Sequence, residues 1–194
     1  MAKVSSARED MLCVAGELFR ARGYEGVGVA ELLAKAGAPR GSLYFHFPGG
    51  KEQIGAEVVE RFGVRAAERF RELAQSNVSL EKFVDVVFKT TAKESKDRCY
   101  LATCPMAVIA AEADRENNPK LHEAVREAFA SWEREIAAAA TTRGMSAANA
   151  DIFASAFVTA MEGAFILSKT QASSTAHMNA SRAMKALGAA LLSA

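Results

Sequence analysis

Disulfide chemistry has little to work with in this chain. Its three cysteines, Cys13, Cys99 and Cys104, are few and odd in number, which argues against a disulfide framework and suits a reducing compartment. An excess of one charge is also missing. The 24 basic and 23 acidic residues leave a net +1, so a nucleic-acid partner must be argued from a motif and not from bulk charge. The longest apolar run, Phe153 to Leu167, is too short to cross a bilayer and contains Glu162, so no membrane partner is expected. The opening, MAKVSSARED, lacks an apolar h-region. No signal peptide is visible, and the expected location is the cytoplasm. There is no HExxH, no phosphate-binding glycine loop, no nucleophile–base–orienter set and no evident carboxylate pair. No catalytic residue, metal ligand or cofactor is therefore assigned, and the chain is not expected to be an enzyme. His122 and His177 sit in polar helix starts and are expected to be solvated. Cys99 and Cys104 are five residues apart, which on a continuous helix is the wrong spacing for a disulfide; a buried, inert thiol is expected at Cys104.

What is present favours helix: abundant alanine, only four prolines and few β-branched runs in 194 residues. Ser6 to Glu9 has the form of a capping box. Met11, Val14, Ala15, Leu18 and Phe19 recur behind it at helical spacing, and Gly23 supplies a stop. That predicts a first helix from Ser6 to Arg22. A second is predicted from Val29 to Ala36. A third, short one runs from Pro39 to Phe45, started by a first-position proline. Pro48-Gly49-Gly50 breaks the chain, and Lys51 opens a long fourth helix to Ala74. Ser79 is read as the cap of a fifth, with Leu80, Phe83, Val84, Val87 and Phe88 on one side. A sixth is placed from Cys99 to Ala113, a seventh from an Asn118-Pro119 start to Ala140, an eighth from Ala147 to Lys169 and a ninth from Thr175 to Leu192.

The informative stretch is Val29 to Lys51, VAELLAKAGAPRGSLYFHFPGGK. Two short helices joined by a turn with glycine make a helix-turn-helix pattern. Leu32, Leu33 and Ala36 form the buried face of its first helix, and Gly37 takes the turn. Leu43 and Phe47 anchor the second helix against helix 1, while Tyr44, Phe45 and Phe47 are all compatible with core. On the exposed side, Ala38, Pro39 and Arg40 lead into the major groove. Arg40 carries the fork that reads guanine or grips a phosphate. Gly41 permits close backbone approach. Ser42, Tyr44, His46 and Lys51 are donors suited to phosphate oxygens. Lys51 also opens helix 4, where free amides favour an anion.

These residues resemble the TetR family. The family pattern is a first helix ending in LFxxxGY, a turn containing AG, a recognition helix ending in LYxHF and a lysine opening helix 4. Leu18, Phe19, Gly23, Tyr24, Ala36, Gly37, Leu43, Tyr44, His46, Phe47 and Lys51 stand in that register. GAPRGSLYFHFPGGKEQ is similar to the LmrA/YxaF-like branch. So are Cys104-Pro105, the AEAD of Ala111 to Asp114, and Trp132-Glu133. Two departures weaken the part played by helix 2. Val27-Gly28 stand where many members place Ser or Thr, and Ala30 where a polar contact residue is common.

The resemblance implies an all-α chain of about nine helices. A three-helix, DNA-binding head (1–50) is joined by helix 4 to a ligand-binding and dimerisation body (51–194). It implies a repressor that binds a palindromic operator in double-stranded DNA as a homodimer and is released by a small aromatic or drug-like molecule. The body's candidate ligand residues are Phe83, Phe88, Cys104, Met106, Phe129, Trp132, Phe157, Met161, Glu162 and Phe165. Aromatic and methionine side chains line adaptable apolar pockets, although a Phe/Met stripe at helical spacing is also what plain core looks like. Glu162 is the sharper case, because an acid inside an apolar helix needs a partner. That partner is a cationic or hydrogen-bonding ligand, an internal arginine, or the other subunit. Small residues on the last two helices (Ala156, Ala160, Gly163, Ala164, Ala183, Ala186, Leu187, Ala190, Leu191) suit a four-helix dimer interface or packing within one subunit. Two other classes share the all-helical composition: a protein-interaction module and a small helical enzyme. Salt-sensitive duplex binding separates the first from a repressor, and turnover separates the second.

Overall fold

The computed structural model describes residues 2–193, with side chains from Ala7 onward. Within them the chain is all-α. Its helices are α1 (Ala2–Arg22), α2 (Val29–Lys35), α3 (Leu43–His46), α4 (Gly50–Gln75), α5 (Leu80–Asp97), α6 (Pro105–Glu112), α7 (Pro119–Thr141), α8 (Ala147–Gln171) and α9 (Thr175–Leu192). One 3₁₀ turn, Arg40–Ser42, runs directly into α3. The chain divides into two compact units. One comprises Met1–Phe62 with Pro105–Ala128, the other Gly63–Cys104 with Phe129–Ala194.

Three boundaries differ from the sequence expectation by more than two residues. α1 starts at Ala2, so Ser6 lies inside the helix and is not its cap; the Ser6 side chain falls outside the described ones. The short third helix is a 3₁₀ turn followed by one α-turn, and Pro39, with φ −60° and ψ 146°, precedes it in extended conformation. The sixth helix begins at Pro105 and not at Cys99. Cys99 (φ 53°) and Tyr100 (φ 58°) both take the left-handed conformation, which ends α5 and cannot continue into a helix. Tertiary contact holds that turn: the Tyr100 amide donates to Ser95 O (2.8 Å), and its hydroxyl lies 3.0 Å from that of Ser174.

In the first unit, α1 buries Met11, Leu12, Ala15 and Phe19. Arg8 reaches Glu57 of α4 with two bonds, 2.7 and 2.6 Å, and lays its guanidinium 4.8 Å from the Phe47 ring centre. Arg61 grips Glu9 with two more, at 2.5 and 2.8 Å. α1 ends at Gly23 (φ +82°), whose amide donates to Phe19 O. Glu112, the last residue of α6, lies against this turn and accepts from the Glu25 amide at 2.9 Å. Glu52 likewise accepts from the Lys120 amide (2.8 Å) at the start of α7. Asn118 precedes α7 as expected, but its side chain turns back to accept from the Asp114 amide and does not cap α7.

In the second unit, α5 is capped by Ser79, which accepts from the Lys82 amide at 3.2 Å. Phe83 and Phe88 of α5 pack on Phe157 of α8, with ring centres 6.0 and 5.1 Å apart, and Phe153 lies 5.9 Å from the same ring. Trp132 is buried and donates to Gly63 O (2.9 Å). Arg143 donates to Val78 O, Ala139 O and Ala74 O, tying the ends of α4 and α7 to the start of α5. By length and hydropathy α8 alone among the described helices qualifies to cross a membrane, but 44% of its most apolar window is packed inside the unit. Its Phe153, Phe157, Met161 and Phe165 row is buried, which makes α8 a core helix.

Candidate nucleic-acid interface and ligand site

The turn between α2 and the 3₁₀ segment is built on Gly37, at φ +64°. Its amide donates to Ala34 O, and the Ala38 amide donates to Leu33 O. No side chain caps α2, where Gly28 stands at the N-cap. Pro39 O accepts from both the Ser42 amide (3.0 Å) and the Ser42 hydroxyl (2.7 Å), which fixes the 3₁₀ turn. Leu43 and Phe47 then point inward and are buried.

Arg40, Gly41, Tyr44 and Phe45 face outward, and a side chain placed at Gly41 would meet nothing within 4 Å. Tyr44 is 68% exposed and Phe45 74%. Of the three aromatic residues compatible with core, only Phe47 is core. Phe45 is thus a surface residue that the sequence pattern did not separate from its neighbours. His46 is half-buried, edge-on to the Phe45 ring at 5.0 Å. Lys51 is held on the head itself: its ammonium lies 4.2 Å from the Tyr24 ring centre and 3.9 Å from Glu25. The neighbouring acids Glu25 and Glu52, added to burial as the main cause, push the Tyr24 phenol up to about 12. On α2, Glu31 is paired with both Arg22 and Lys35; the Arg22 hydrogen bond is the main reason its carboxyl lies below its usual range.

The ligand candidates fall in two places. Met106 is buried in the first unit, and the other nine lie in the second. There Phe83, Phe88 and Phe157 form one ring cluster. Phe129 is half-buried and edge-on to Trp132 at 5.3 Å. Phe165 meets His177 edge-on at 5.0 Å. Cys104, buried and not disulfide-bonded, offers a hydrogen bond to Glu162. Glu162 keeps both carboxylate oxygens buried, and burial pushes its pKa up to about 7.

His177 is not solvated. It is fully buried, with Thr91 Oγ1 3.2 Å from Nδ1 and Ser95 Oγ 3.1 Å from Nε2. Burial pulls it down to about 4, so the ring is neutral at pH 7. His122 is half-buried.

Comparison with known proteins settles the family. Residues 12–58 match the family described as bacterial regulatory proteins, tetR family, and residues 81–183 match the transcriptional regulator LmrA/YxaF-like, C-terminal domain. The HTH-type transcriptional regulator LmrA of Bacillus subtilis is 32% identical over 170 residues, covering 87% of this chain and 89% of that one. The chain belongs to the TetR family. The HTH-type transcriptional repressor NemR of Escherichia coli is 39% identical over 69 residues, 36% of this chain and 34% of that one. Among solved structures, the TetR-family regulator SCO4454 of Streptomyces coelicolor superposes with a TM-score of 0.81 at 17% identity, covering 97% of each chain.

Proposed function

We propose that this chain is a transcriptional repressor of the LmrA/YxaF-like branch, acting in the cytoplasm. Residues 1–50 read DNA, and residues 51–194 bind a small hydrophobic or aromatic ligand and hold a homodimer. The observation that carries the reading is the two-sided segment Arg40 to Phe47. Leu43 and Phe47 anchor it, while Arg40, Gly41, Tyr44 and Phe45 stand exposed. A guanidinium, a bare backbone and two exposed aromatic faces suit base edges, phosphates and thymine methyl groups.

The dimer rests on α8 and α9. Ile152, Ile166, Leu167 and Met178 are exposed, and a side chain at Gly163 would meet nothing within 4 Å. An apolar stripe of this kind with small residues beside it suits a second copy. Two copies of the head would read half-sites about 34–36 Å apart, or a multiple of that spacing. α4 runs from residue 50 to 75 without interruption. A ligand that binds the non-reading state more tightly would act through it, each tenfold preference supplying about 1.4 kcal/mol. NemR, a relative over 69 residues, is a repressor by name; that supports the sign of regulation.

The test is selection of bound duplexes from a random pool, followed by titration at several salt concentrations. The expected result is a palindromic consensus with a steep salt slope. Arg40→Ala should abolish specific binding with the dimer intact, and Phe45→Ala should weaken it by about tenfold, an apolar contact's worth. No enriched sequence from a folded dimer would refute the repressor reading in favour of a protein-interaction module.

A further inference from the structure

Among the described residues the chain passes between the two units at three places: after Phe62, after Cys104 and after Ala128. The first lies inside α4 and the third inside α7, so continuous helix carries the backbone across both. The second has no such support. Residues 101–104 form no helix, and α6 begins at Pro105. Side chains hold this linker at its two ends. The Tyr100 hydroxyl lies 3.0 Å from that of Ser174. Cys104, buried at the crossing itself, offers its thiol to Glu162 of α8.

The tie at Cys104 depends on a proton. Both oxygens of Glu162 are shut off from solvent, and neither has a hydrogen-bond partner of good geometry. Among the described residues, the groups that act on it bring no counter-charge. From α5 comes the Glu94 carboxylate, which repels it and is matched by Arg98 at 4.0 Å on its own helix. From the linker comes the Cys104 thiol, a weak donor. From α9, His177 lies edge-on to Phe165 and is neutral at pH 7. Val158 and Phe165, one turn away on either side along α8, are both buried. Such surroundings tolerate the neutral acid and penalise the carboxylate. Burial accordingly holds the proton up to about pH 7. Its loss sets Glu162 against Glu94, two like charges out of water's reach. That cost is relieved when the end of the linker lifts from α8 and water reaches the acid.

We propose that the Glu162–Cys104 contact is a pH-sensitive latch: the protonated acid pins the end of the linker, and its ionisation frees the crossing at Pro105 and weakens DNA reading. The last clause rests on the repressor role proposed above. The segment beyond the crossing supports the head. Glu112 of α6 accepts from the Glu25 amide, and the Lys120 amide of α7 donates to Glu52 of α4. Ordering that segment costs less when its entry is already held, so the latched form is the better pre-organised reader.

The test is alkylation of the full chain by iodoacetamide, each cysteine being followed by mass spectrometry of its peptide. Cys13 and Cys99 are exposed and report the ordinary rise of thiolate with pH. The Cys104 rate divided by theirs therefore measures opening of the latch. From about pH 6 to 8 that ratio should rise about tenfold in the wild type, because the proton held to about pH 7 is released on opening at the usual carboxyl value. In Glu162→Gln it should not change. Affinity for the duplex selected from the random pool should fall over the same range by up to about tenfold relative to Glu162→Gln. His46, common to both proteins, cancels in that comparison. Parallel Cys104 profiles in the two proteins would overturn the latch. So would a ratio equal to the unfolding constant from urea, since the opening would then be global. A rising Cys104 ratio with parallel operator affinities would overturn the link to DNA reading. Absence of any selected duplex sinks the repressor reading instead, and alkylation still decides the latch.

Discussion

Titration of the two buried groups of the second unit should leave a pair of opposed signatures in the pH dependence of stability. Glu162 is pushed from 4.5 up to about 7 by burial. Between those values the folded chain holds a proton that the unfolded chain has released, so its contribution is present below about 4.5 and lost as pH rises to about 7. His177 moves the other way, from 6.5 down to about 4. Across that window the unfolded chain binds the extra proton, so stability rises with pH. Each displacement is about 2.5 pH units, and at about 1.4 kcal/mol per unit each amounts to about 3 kcal/mol. From about pH 4.5 to 6.5 the two slopes oppose one another, and the wild-type profile should be nearly flat apart from the ordinary surface carboxylates. Glu162→Gln removes one slope and exposes the other. Urea unfolding at fixed protomer concentration, from about pH 4.5 to 7.5, compares the two proteins with the surface carboxylates cancelling. The variant should gain about 3 kcal/mol over the wild type across that range. Parallel profiles, with a constant difference at every pH, would refute the reasoning: Glu162 would then not be ionising in a buried, unmatched position.

Two further expectations concern packing. Gly23→Ala should destabilise the chain by about 2 kcal/mol, read as a lower urea midpoint, because the site has φ +82° and the new Cβ would fall 2.2 Å from a Glu112 oxygen. Adding Glu112→Ala should recover part of that loss, since the two share one contact. Trp132→Phe deletes a buried donor 2.9 Å from Gly63 O and leaves a gap beside Phe70 and Phe129; a loss of about 2 kcal/mol in urea unfolding is expected.

The sequence was most legible where structure is local. The cap at Ser79 and the apolar side of α5 depend on residues three and four apart, and both stand as read. So does α9, Thr175–Leu192. Leu43 and Phe47 are spaced by one helical turn, and both are buried. Two of the errors fall where a distant partner decides. Cys99 and Tyr100 carry no turn signal in their side chains, yet they take left-handed backbone because Tyr100 is held by Ser95 and Ser174. His177 stands in a polar run, THE kind of setting that favours solvent, and is buried because Thr91 and Ser95, 86 and 82 residues earlier, meet its two nitrogens.

The recognition segment shows a different limit. Tyr44, Phe45 and Phe47 have nearly the same size and apolarity, so composition gives all three the same address. What sorts them is their place around the turn: Phe47 stands four residues after buried Leu43 and shares its face, while Tyr44 and Phe45 lie off that face and are exposed. Glu162 presents the converse case. That a charged residue within an apolar helix requires a partner was plain from chemistry, and the fold brings it a thiol and a second acid. The acid meets that requirement by keeping its proton up to about pH 7, which removes the charge instead of pairing it.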